Sequence, residues 1–96
     1  MNVQELIAAG KGTIVDVRSY LEFSGGHIAG SVNIPLDQLN NKLEELRSLD
    51  EPLILVCASG NRSGMAQNFL AGNGIECVNG GSWLNVNYFL SLREAQ

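Results

Sequence analysis

The segment Leu53 to Gln67, LILVCASGNRSGMAQ, joins an apolar run, a cysteine, a short polar turn and a segment of helical composition. The run Leu53–Val56 is apolar at every position, as is typical of a central parallel strand covered by helices on both faces. A strand that leads through a short turn into a helix is the repeating unit of parallel α/β domains. The stretch therefore predicts a parallel sheet with Cys57 at the carboxyl end of its central strand.

The segments on both sides continue the alternation of short helices and strands. Before the central strand we expect a first helix, which Asn2 and Glu5 cap and Gly10 ends, and then a strand at Thr13–Val17. A helical turn from Ser19 to Phe23, which Gly25 and Gly26 end, leads to a second strand at Ser31–Ile34. The last expected element before the central strand is a helix carrying Leu36, Leu39, Leu43 and Leu46. After it we expect a helix from Ser63 to about Ala71, a strand at Ile75–Val78, a turn at Gly80–Gly81 and an amphipathic C-terminal helix carrying Trp83, Leu84, Tyr88, Phe89 and Leu92. The expected fold class is a three-layer α/β domain spanning residues 1–96, with a central parallel sheet of four or five strands flanked by helices.

The amino-acid composition makes several functional classes unexpected for this chain. The chain is 45% hydrophobic and 17% charged, which is typical of a globular protein, and its net charge of -4 makes nucleic acid an unexpected partner. The sequence has no apolar run of about 20 residues, and Met1–Gly10 does not have the pattern of a signal peptide, so we expect no membrane association and a cytoplasmic location. Cys57 and Cys77 are too far apart for a C-x-x-C motif, so we expect no metal site, and any chemistry rests on a lone thiol.

The position of Cys57 favours a reactive thiol. It ends a strand and precedes the turn Ala58–Arg62 and a helix N-terminus, where unpaired N–H groups and the helix dipole stabilise an anion. Such cysteines have pKa values well below the free-thiol value of about 8.5. Gly60 permits the positive φ that curls the amides of the loop around the sulfur. The alternative interpretation is that Cys57 is a small buried hydrophobe at the end of a strand.

At these residues the chain resembles the single-domain rhodaneses, a family of sulfurtransferases. Four family motifs occur in order: D-V-R at Asp16–Arg18, G-H-I-x-G-[AS]-x-N-I-P at Gly26–Pro35, C-x-x-G-x-R-[ST] at Cys57–Ser63, and the double glycine at Gly80–Gly81. The resemblance implies that the Cys57 thiolate attacks a sulfane sulfur and holds it as a persulfide until an acceptor takes it, without any cofactor. It implies a sulfurtransferase of the thiosulfate:cyanide type, with a small donor such as thiosulfate or a persulfide, and with a thiol, cyanide or a sulfur-relay protein as acceptor.

The same resemblance assigns the loop residues. Cys57 is the catalytic residue, and the expected substrate-binding residues are Ala58, Ser59, Gly60, Asn61, Arg62 and Ser63. Family members that use thiosulfate often carry Lys or Arg where this chain has Ala58, which removes a cation from the mouth of the site.

Two other functional classes stay open. Cysteine phosphatases and arsenate reductases also hold a thiolate in a loop, but they place five residues between cysteine and arginine, whereas four separate Cys57 from Arg62. A non-catalytic binding or regulatory module is the third class, although modules of that kind have usually lost the cysteine.

The remaining polar residues have alternative roles. Arg62 either faces the incoming sulfur or braces the loop by pairing with Asp16 or Glu22, and bracing is the favoured interpretation. Ser59 and Ser63 are expected to donate hydroxyl hydrogen bonds to the bound sulfur, with a helix cap as the alternative for Ser63.

Seven further residues are interpreted as structural. Asp16 and Arg18 support the site, and His27 is expected to be a buried ring whose nitrogen satisfies a neighbour. Cys77 is expected to be a buried side chain that packs in the core without a chemical role, with a resolving thiol as the alternative. Trp83, Tyr88 and Phe89 are expected to pack the terminal helix.

Overall fold

The computed structural model describes residues 1–95, which contain a four-stranded, fully parallel sheet. Its strands are β1 (Thr13–Asp16), β2 (Val32–Asn33), β3 (Leu53–Cys57) and β4 (Cys77–Ser82), in the spatial order β2-β1-β3-β4. The strand β3 lies between β1 and β4, and all five of its residues are buried. The predicted three-layer α/β fold with a central parallel sheet is therefore confirmed.

Helices cover both faces of the sheet, and the residues of β3 alternate between the two layers. On one face, Leu53, Leu55 and Cys57 belong to a core built with the 3₁₀ helix Leu36–Lys42, α3 (Leu43–Arg47) and α4 (Asn61–Gly72). On the other face, Ile54 and Val56 pack with α1 (Val3–Ala9) and α5 (Trp83–Glu94). The short helix α2 (Tyr20–Ser24) follows β1 in the chain. Among residues 1–95 no helix combines the length and the apolar character that crossing a bilayer requires.

The first two helices begin and end at the predicted residues. Asn2 and Glu5 form a capping box with reciprocal bonds of 2.8 and 3.0 Å, and Gly10 ends α1 with a φ of 68°. Ser19 and Glu22 form the same motif at the start of α2, which Gly25 ends. These local signals act over three or four residues, which is why the sequence alone reveals them.

The predicted continuous helix carrying Leu36, Leu39, Leu43 and Leu46 is wrong in its backbone. A 3₁₀ helix ends at Lys42, whose φ of -122° and ψ of 21° lie outside the helical region, and α3 then begins at Leu43. Two neighbouring asparagines precede Lys42, and asparagine side chains compete for backbone hydrogen bonds. The predicted burial of the leucines is retained despite the break between the two helices, because Leu39 and Leu46 are both fully buried.

The prediction that Gly80–Gly81 turns the chain is also wrong, because β4 runs through both glycines to Ser82. Leu55 pairs with Asn79 and Val56 with Gly81, so Gly80 is the extra residue of a β-bulge. A Cβ atom on Gly80 would lie 3.0 Å from the Leu55 carbonyl oxygen, which explains why glycine occupies the bulge.

The C-terminal helix packs through fewer aromatic residues than predicted. Trp83 and Phe89 are partly buried against the core around Val86, as expected. Tyr88, however, is 59% exposed, and Leu84 is exposed too, because these two residues lie one turn apart on the face opposite Val86.

Candidate active site

The cysteine lies where the carboxyl edge of the sheet meets the start of a helix. Cys57 is the last residue of β3, and α4 begins four residues later at Asn61, two residues before the predicted Ser63. Gly60 precedes the helix with a φ of 103°, the left-handed conformation that the sequence predicts for it. On the neighbouring strand the N–H of Val17 donates to Val56, which places Val17 beside Cys57 at this edge.

The Cys57 sulfur accepts hydrogen bonds from the loop that follows it. The N–H of Gly60 lies 2.9 Å from Sγ and the N–H of Ser63 lies 3.4 Å from it. The Ser63 hydroxyl oxygen is 3.3 Å from the same sulfur. Cys57 is only 1% exposed, so these groups replace water as the sulfur's polar surroundings.

This arrangement favours the thiolate. Burial by itself raises the pKa of Cys57, but hydrogen bonds from the Ser63 hydroxyl and from the backbone N–H groups of Ser63, Gly60 and Ser59 outweigh it and lower the pKa below the ordinary thiol value. The pKa of Cys77 moves the other way, raised mainly by burial. The two thiols are therefore set apart by their surroundings, and Cys57 is the more readily ionised.

Asn79 completes the loop, and sequence reasoning missed it. Its Oδ1 accepts hydrogen bonds from the Ser63 hydroxyl at 2.6 Å and from the Gly81 N–H at 2.9 Å, while its Nδ2 donates to the Gly60 carbonyl at 3.1 Å. The role of Asn79 depends on partners 16 and 19 residues away, to which no local signal points. Its place directly before the double glycine is the one clue in the sequence.

Ser63 is not the cap of α4. It is the third residue of the helix, the N-cap is Gly60, and the cap has no side-chain hydrogen bond. The Ser63 side chain lies between Cys57 and Asn79 instead. Of the two alternatives for Ser63, the structure therefore favours contact with the sulfur.

Arg62 pairs with Glu22, one of the two carboxylates predicted as its partner. Its Nη1 and Nη2 donate to the two carboxylate oxygens at 2.6 and 2.9 Å, which links α4 to α2. The hydrogen bond from Arg62 is the largest cause that lowers the pKa of Glu22 from 4.5 to about 2, and hydrogen bonding to Glu22 raises the pKa of Arg62. The other predicted partner of Arg62, Asp16, pairs with Arg18 instead.

Asp16, the last residue of β1, forms a buried ion pair with Arg18, two residues later. The guanidinium of Arg18 contacts both Asp16 carboxylate oxygens at 2.8 to 3.1 Å and donates to the Gly26 carbonyl at 2.8 Å. It also lies 4.7 Å from the ring centroid of Trp83, a cation–π distance. The pair joins β1, the segment around Gly26 and α5.

His27 and Cys77 differ in part from the predictions. His27 is exposed rather than buried; its ring stacks on Phe23 at 3.8 Å, and Nδ1 donates to the Phe23 carbonyl at 2.8 Å. Cys77 is only partly buried, at the start of β4 against the Leu53 side of the sheet. Three of the predicted loop residues, Ala58, Ser59 and Asn61, are exposed.

A cavity of about 450 Å³ lies beside the loop. It is lined by Val17, Ser19, Pro35, Leu36, Asp37 and Arg62. Its walls are mainly apolar, and the guanidinium that it contains is already paired with Glu22. A separate cavity of about 220 Å³ around Lys11 and Arg93 lies near Thr13, at the amino end of β1 and away from Cys57.

Comparisons with known proteins agree with this geometry. A family model described as a rhodanese-like domain matches residues 2–84. The chain is 47% identical over 64 residues to the uncharacterized protein YqhL of Bacillus subtilis, covering 67% of this chain and 50% of that protein. It is 39% identical over 75 residues to the thiosulfate sulfurtransferase GlpE of Ectopseudomonas mendocina, covering 78% of this chain and 67% of that protein.

A solved structure shares the fold at similar identity. The crystal structure of a rhodanese-related protein from Thermoplasma volcanium matches with a TM-score of 0.73 and 36% identity, covering 88% of this chain and 89% of that one. The chain spans half or less of the length of the first curated relatives it matches.

Proposed function

Because the chain belongs to the rhodanese-like domain family, we propose that it is a sulfurtransferase that carries sulfane sulfur as a persulfide on Cys57. The observation that carries this proposal is the buried Cys57 sulfur, which accepts N–H bonds from Gly60 and Ser63 at the carboxyl edge of the sheet. A site that stabilises a thiolate also suits the persulfide, which is again a sulfur anion at the end of the same side chain.

The reaction follows in two displacements. The Cys57 thiolate attacks the outer sulfur of the donor, the donor's S–S bond breaks, and its electron pair leaves with the rest of the donor, which is sulfite when the donor is thiosulfate. An acceptor nucleophile then attacks the outer sulfur of the persulfide, and the electron pair returns to Cys57. The lowered pKa of Cys57 favours the ionised nucleophile, and a leaving group such as sulfite departs without being protonated, so we expect the cycle to need no general base beside Cys57.

The charges around the loop and the polarity of the adjoining cavity affect which sulfur donor the site favours. Ala58 supplies no cation, Arg62 is neutralised by Glu22, and the adjoining cavity is mainly apolar with Asp37 at its wall. These features favour an organic persulfide over the dianion thiosulfate, and they fit a thiol as the natural acceptor, either a small molecule or the cysteine of a sulfur-relay protein. Cyanide serves as the acceptor in an assay.

The test is sulfur transfer by the purified chain and two matched variants. The wild type is expected to form thiocyanate from cyanide with thiosulfate or a cysteine persulfide as donor. Cys57→Ser should abolish the reaction, because a serine hydroxyl is not ionised at neutral pH and holds no persulfide, whereas Cys77→Ser should retain most of it.

Two results would overturn the proposal. One is transfer by a folded Cys57→Ser variant. The other is an absence of transfer from every donor in a wild-type protein that hydrolyses an aryl phosphate, which would favour the phosphatase class instead.

A further inference from the structure

The hydroxyl of Ser63 lies between two groups that both accept hydrogen bonds. Its oxygen is 2.6 Å from Asn79 Oδ1 and 3.3 Å from Cys57 Sγ. A serine hydroxyl carries one proton, so it donates to only one of these acceptors at a time.

The orientation of the Asn79 amide decides where that proton lies in this structure. Oδ1 faces the N–H of Gly81, and Nδ2 faces the carbonyl of Gly60. Reversing the amide would place two donors against each other and two acceptors against each other. Oδ1 therefore faces Ser63, and the Ser63 hydroxyl donates to it.

With the proton on the Asn79 side, Ser63 presents lone pairs to the Cys57 sulfur. A neutral thiol suits this arrangement, since its S–H donates to the Ser63 oxygen. A thiolate is stabilised by the backbone N–H groups in either case, but it gains the Ser63 hydroxyl as a donor only when that hydroxyl turns from Asn79 to the sulfur. We infer that Asn79 and the Cys57 sulfur compete for the Ser63 proton, which makes Asn79 a positioning residue that opposes ionisation of Cys57.

The competition for the Ser63 proton adjusts the nucleophilicity of Cys57 in sulfur transfer, and this part of the inference rests on the proposed function. The nucleophilicity of a thiolate falls as its pKa falls, and the best attacking thiol has a pKa near the ambient pH. The N–H groups of Gly60 and Ser63 lower the pKa of Cys57, while Asn79 limits how far it falls. When the sulfur is anionic, as thiolate or as persulfide, the Ser63 proton turns toward it, and Asn79 keeps its bond from the Gly81 N–H.

A double-mutant cycle on the ionisation of Cys57 tests this competition. In a Cys77→Ser background, the ultraviolet absorbance of the thiolate is titrated against pH for four proteins: the background itself, Asn79→Ala, Ser63→Ala and the combined variant. This readout needs neither substrate nor sulfur transfer, so its failure is distinct from failure of the proposed function. The charged groups on the neighbouring elements, the Arg62–Glu22 and Asp16–Arg18 pairs, are unchanged in all four proteins.

We expect Ser63→Ala to lower the acid dissociation constant of Cys57 about tenfold, because the thiolate loses a donor. Asn79→Ala should raise that constant about fivefold more in the presence of Ser63 than in its absence. The comparison removes any effect through the Asn79–Gly60 bond, which is lost equally in both backgrounds. Asn79→Leu, which is close to asparagine in size, should give the same ratio, and thermal unfolding shows that each variant is folded.

The competition is overturned if Asn79→Ala changes the dissociation constant by the same factor with and without Ser63. It is also overturned if the constant falls more when Ser63 is present than when it is absent. Either result would mean that Asn79 acts on Cys57 only through Gly60 and the loop backbone.

Discussion

Arg62 and Glu22, forty residues apart in the sequence, are joined by two hydrogen bonds of 2.6 and 2.9 Å. Glu22 Oε1 also accepts the N–H and the hydroxyl of Ser19, both at 3.1 Å, so the carboxylate that caps α2 also anchors α4. The loop between Cys57 and Arg62 is thereby tied to a helix that follows a different strand. This arrangement suits the bracing role that the sequence favours for Arg62, and that role remains a prediction.

The first prediction concerns the pH dependence of this link. The pKa of Glu22 is about 2 in the folded chain, against an ordinary value of 4.5, so the ionised carboxylate stabilises the fold fully above pH 4.5 and loses that effect as the pH falls toward 2. Glu22→Gln should therefore lower the free energy of unfolding at neutral pH, and its difference from the wild type should narrow between pH 4.5 and 2. Urea denaturation at several pH values measures this difference.

Glu45→Gln is the matched control for that experiment. Glu45 contacts Lys42 at 3.9 Å through two largely exposed side chains, a pair expected to contribute little. A Glu22→Gln difference that stays constant from neutral pH to pH 2 would contradict the assignment of the lowered pKa to the Arg62 contact.

The second prediction concerns the bulge at Gly80. A Cβ at this position would lie 3.0 Å from Ile54 Cγ2 and from the Leu55 carbonyl oxygen, both on the adjacent strand β3. Gly80→Ala should therefore destabilise the protein by about 1 to 3 kcal/mol, through overpacking against β3. The measurement is the midpoint and slope of urea unfolding.

Gly72→Ala provides the comparison, since Gly72 is the last residue of α4 and a Cβ there meets nothing within 4 Å. That variant should be neutral or more stable by up to about 1 kcal/mol, because alanine favours the helix. Equal stabilities of the two variants would show that the bulge tolerates a side chain.

The features that the sequence predicts correctly are those that act locally or through simple periodicity. The capping box at Asn2 and the helical turn that begins at Ser19 each depend on residues within four positions, and the apolar run Leu53–Val56 identifies the central strand by itself. The position of Cys57 follows directly, because a thiol at the end of that strand must lie at the carboxyl edge of the sheet.

The features that the sequence does not predict depend on contacts between distant segments. Gly80–Gly81 has the composition of a turn, yet the pairing of β4 with β3 makes it a bulged strand. Apart from its place before the double glycine, nothing near Asn79 in the sequence marks it, because its partners Gly60 and Ser63 lie 19 and 16 residues away. His27 was expected to be buried, but its hydrogen bond and stacking both involve Phe23, four residues away, and leave the ring at the surface.

The third prediction concerns the missing cation at position 58. Ala58 is exposed in the loop after Cys57, and Ala58→Lys should lower the KM for thiosulfate by an amount worth roughly 1 kcal/mol, or about fivefold, with less effect on kcat. The gain should shrink with added salt, because screening at 0.15 M ionic strength acts over about 8 Å. Steady-state kinetics at two ionic strengths measure both effects.

Ala58→Gln, which adds length without charge, should leave the KM for thiosulfate near the wild-type value. With an uncharged organic persulfide as donor, the lysine variant should behave like the wild type. An unchanged KM for thiosulfate in Ala58→Lys at low salt would show that charge at the mouth of the loop does not select the donor.

Intact mass spectrometry, after incubation with a sulfur donor and removal of the excess, tests most directly whether Cys57 carries sulfur. We expect a gain of one sulfur atom in the wild type and in Cys77→Ser, no gain in Cys57→Ser, and complete loss of the added sulfur on addition of cyanide or a thiol. A wild-type protein that gains no sulfur from either thiosulfate or an organic persulfide, or a gain that persists in Cys57→Ser, would rule out a persulfide on Cys57.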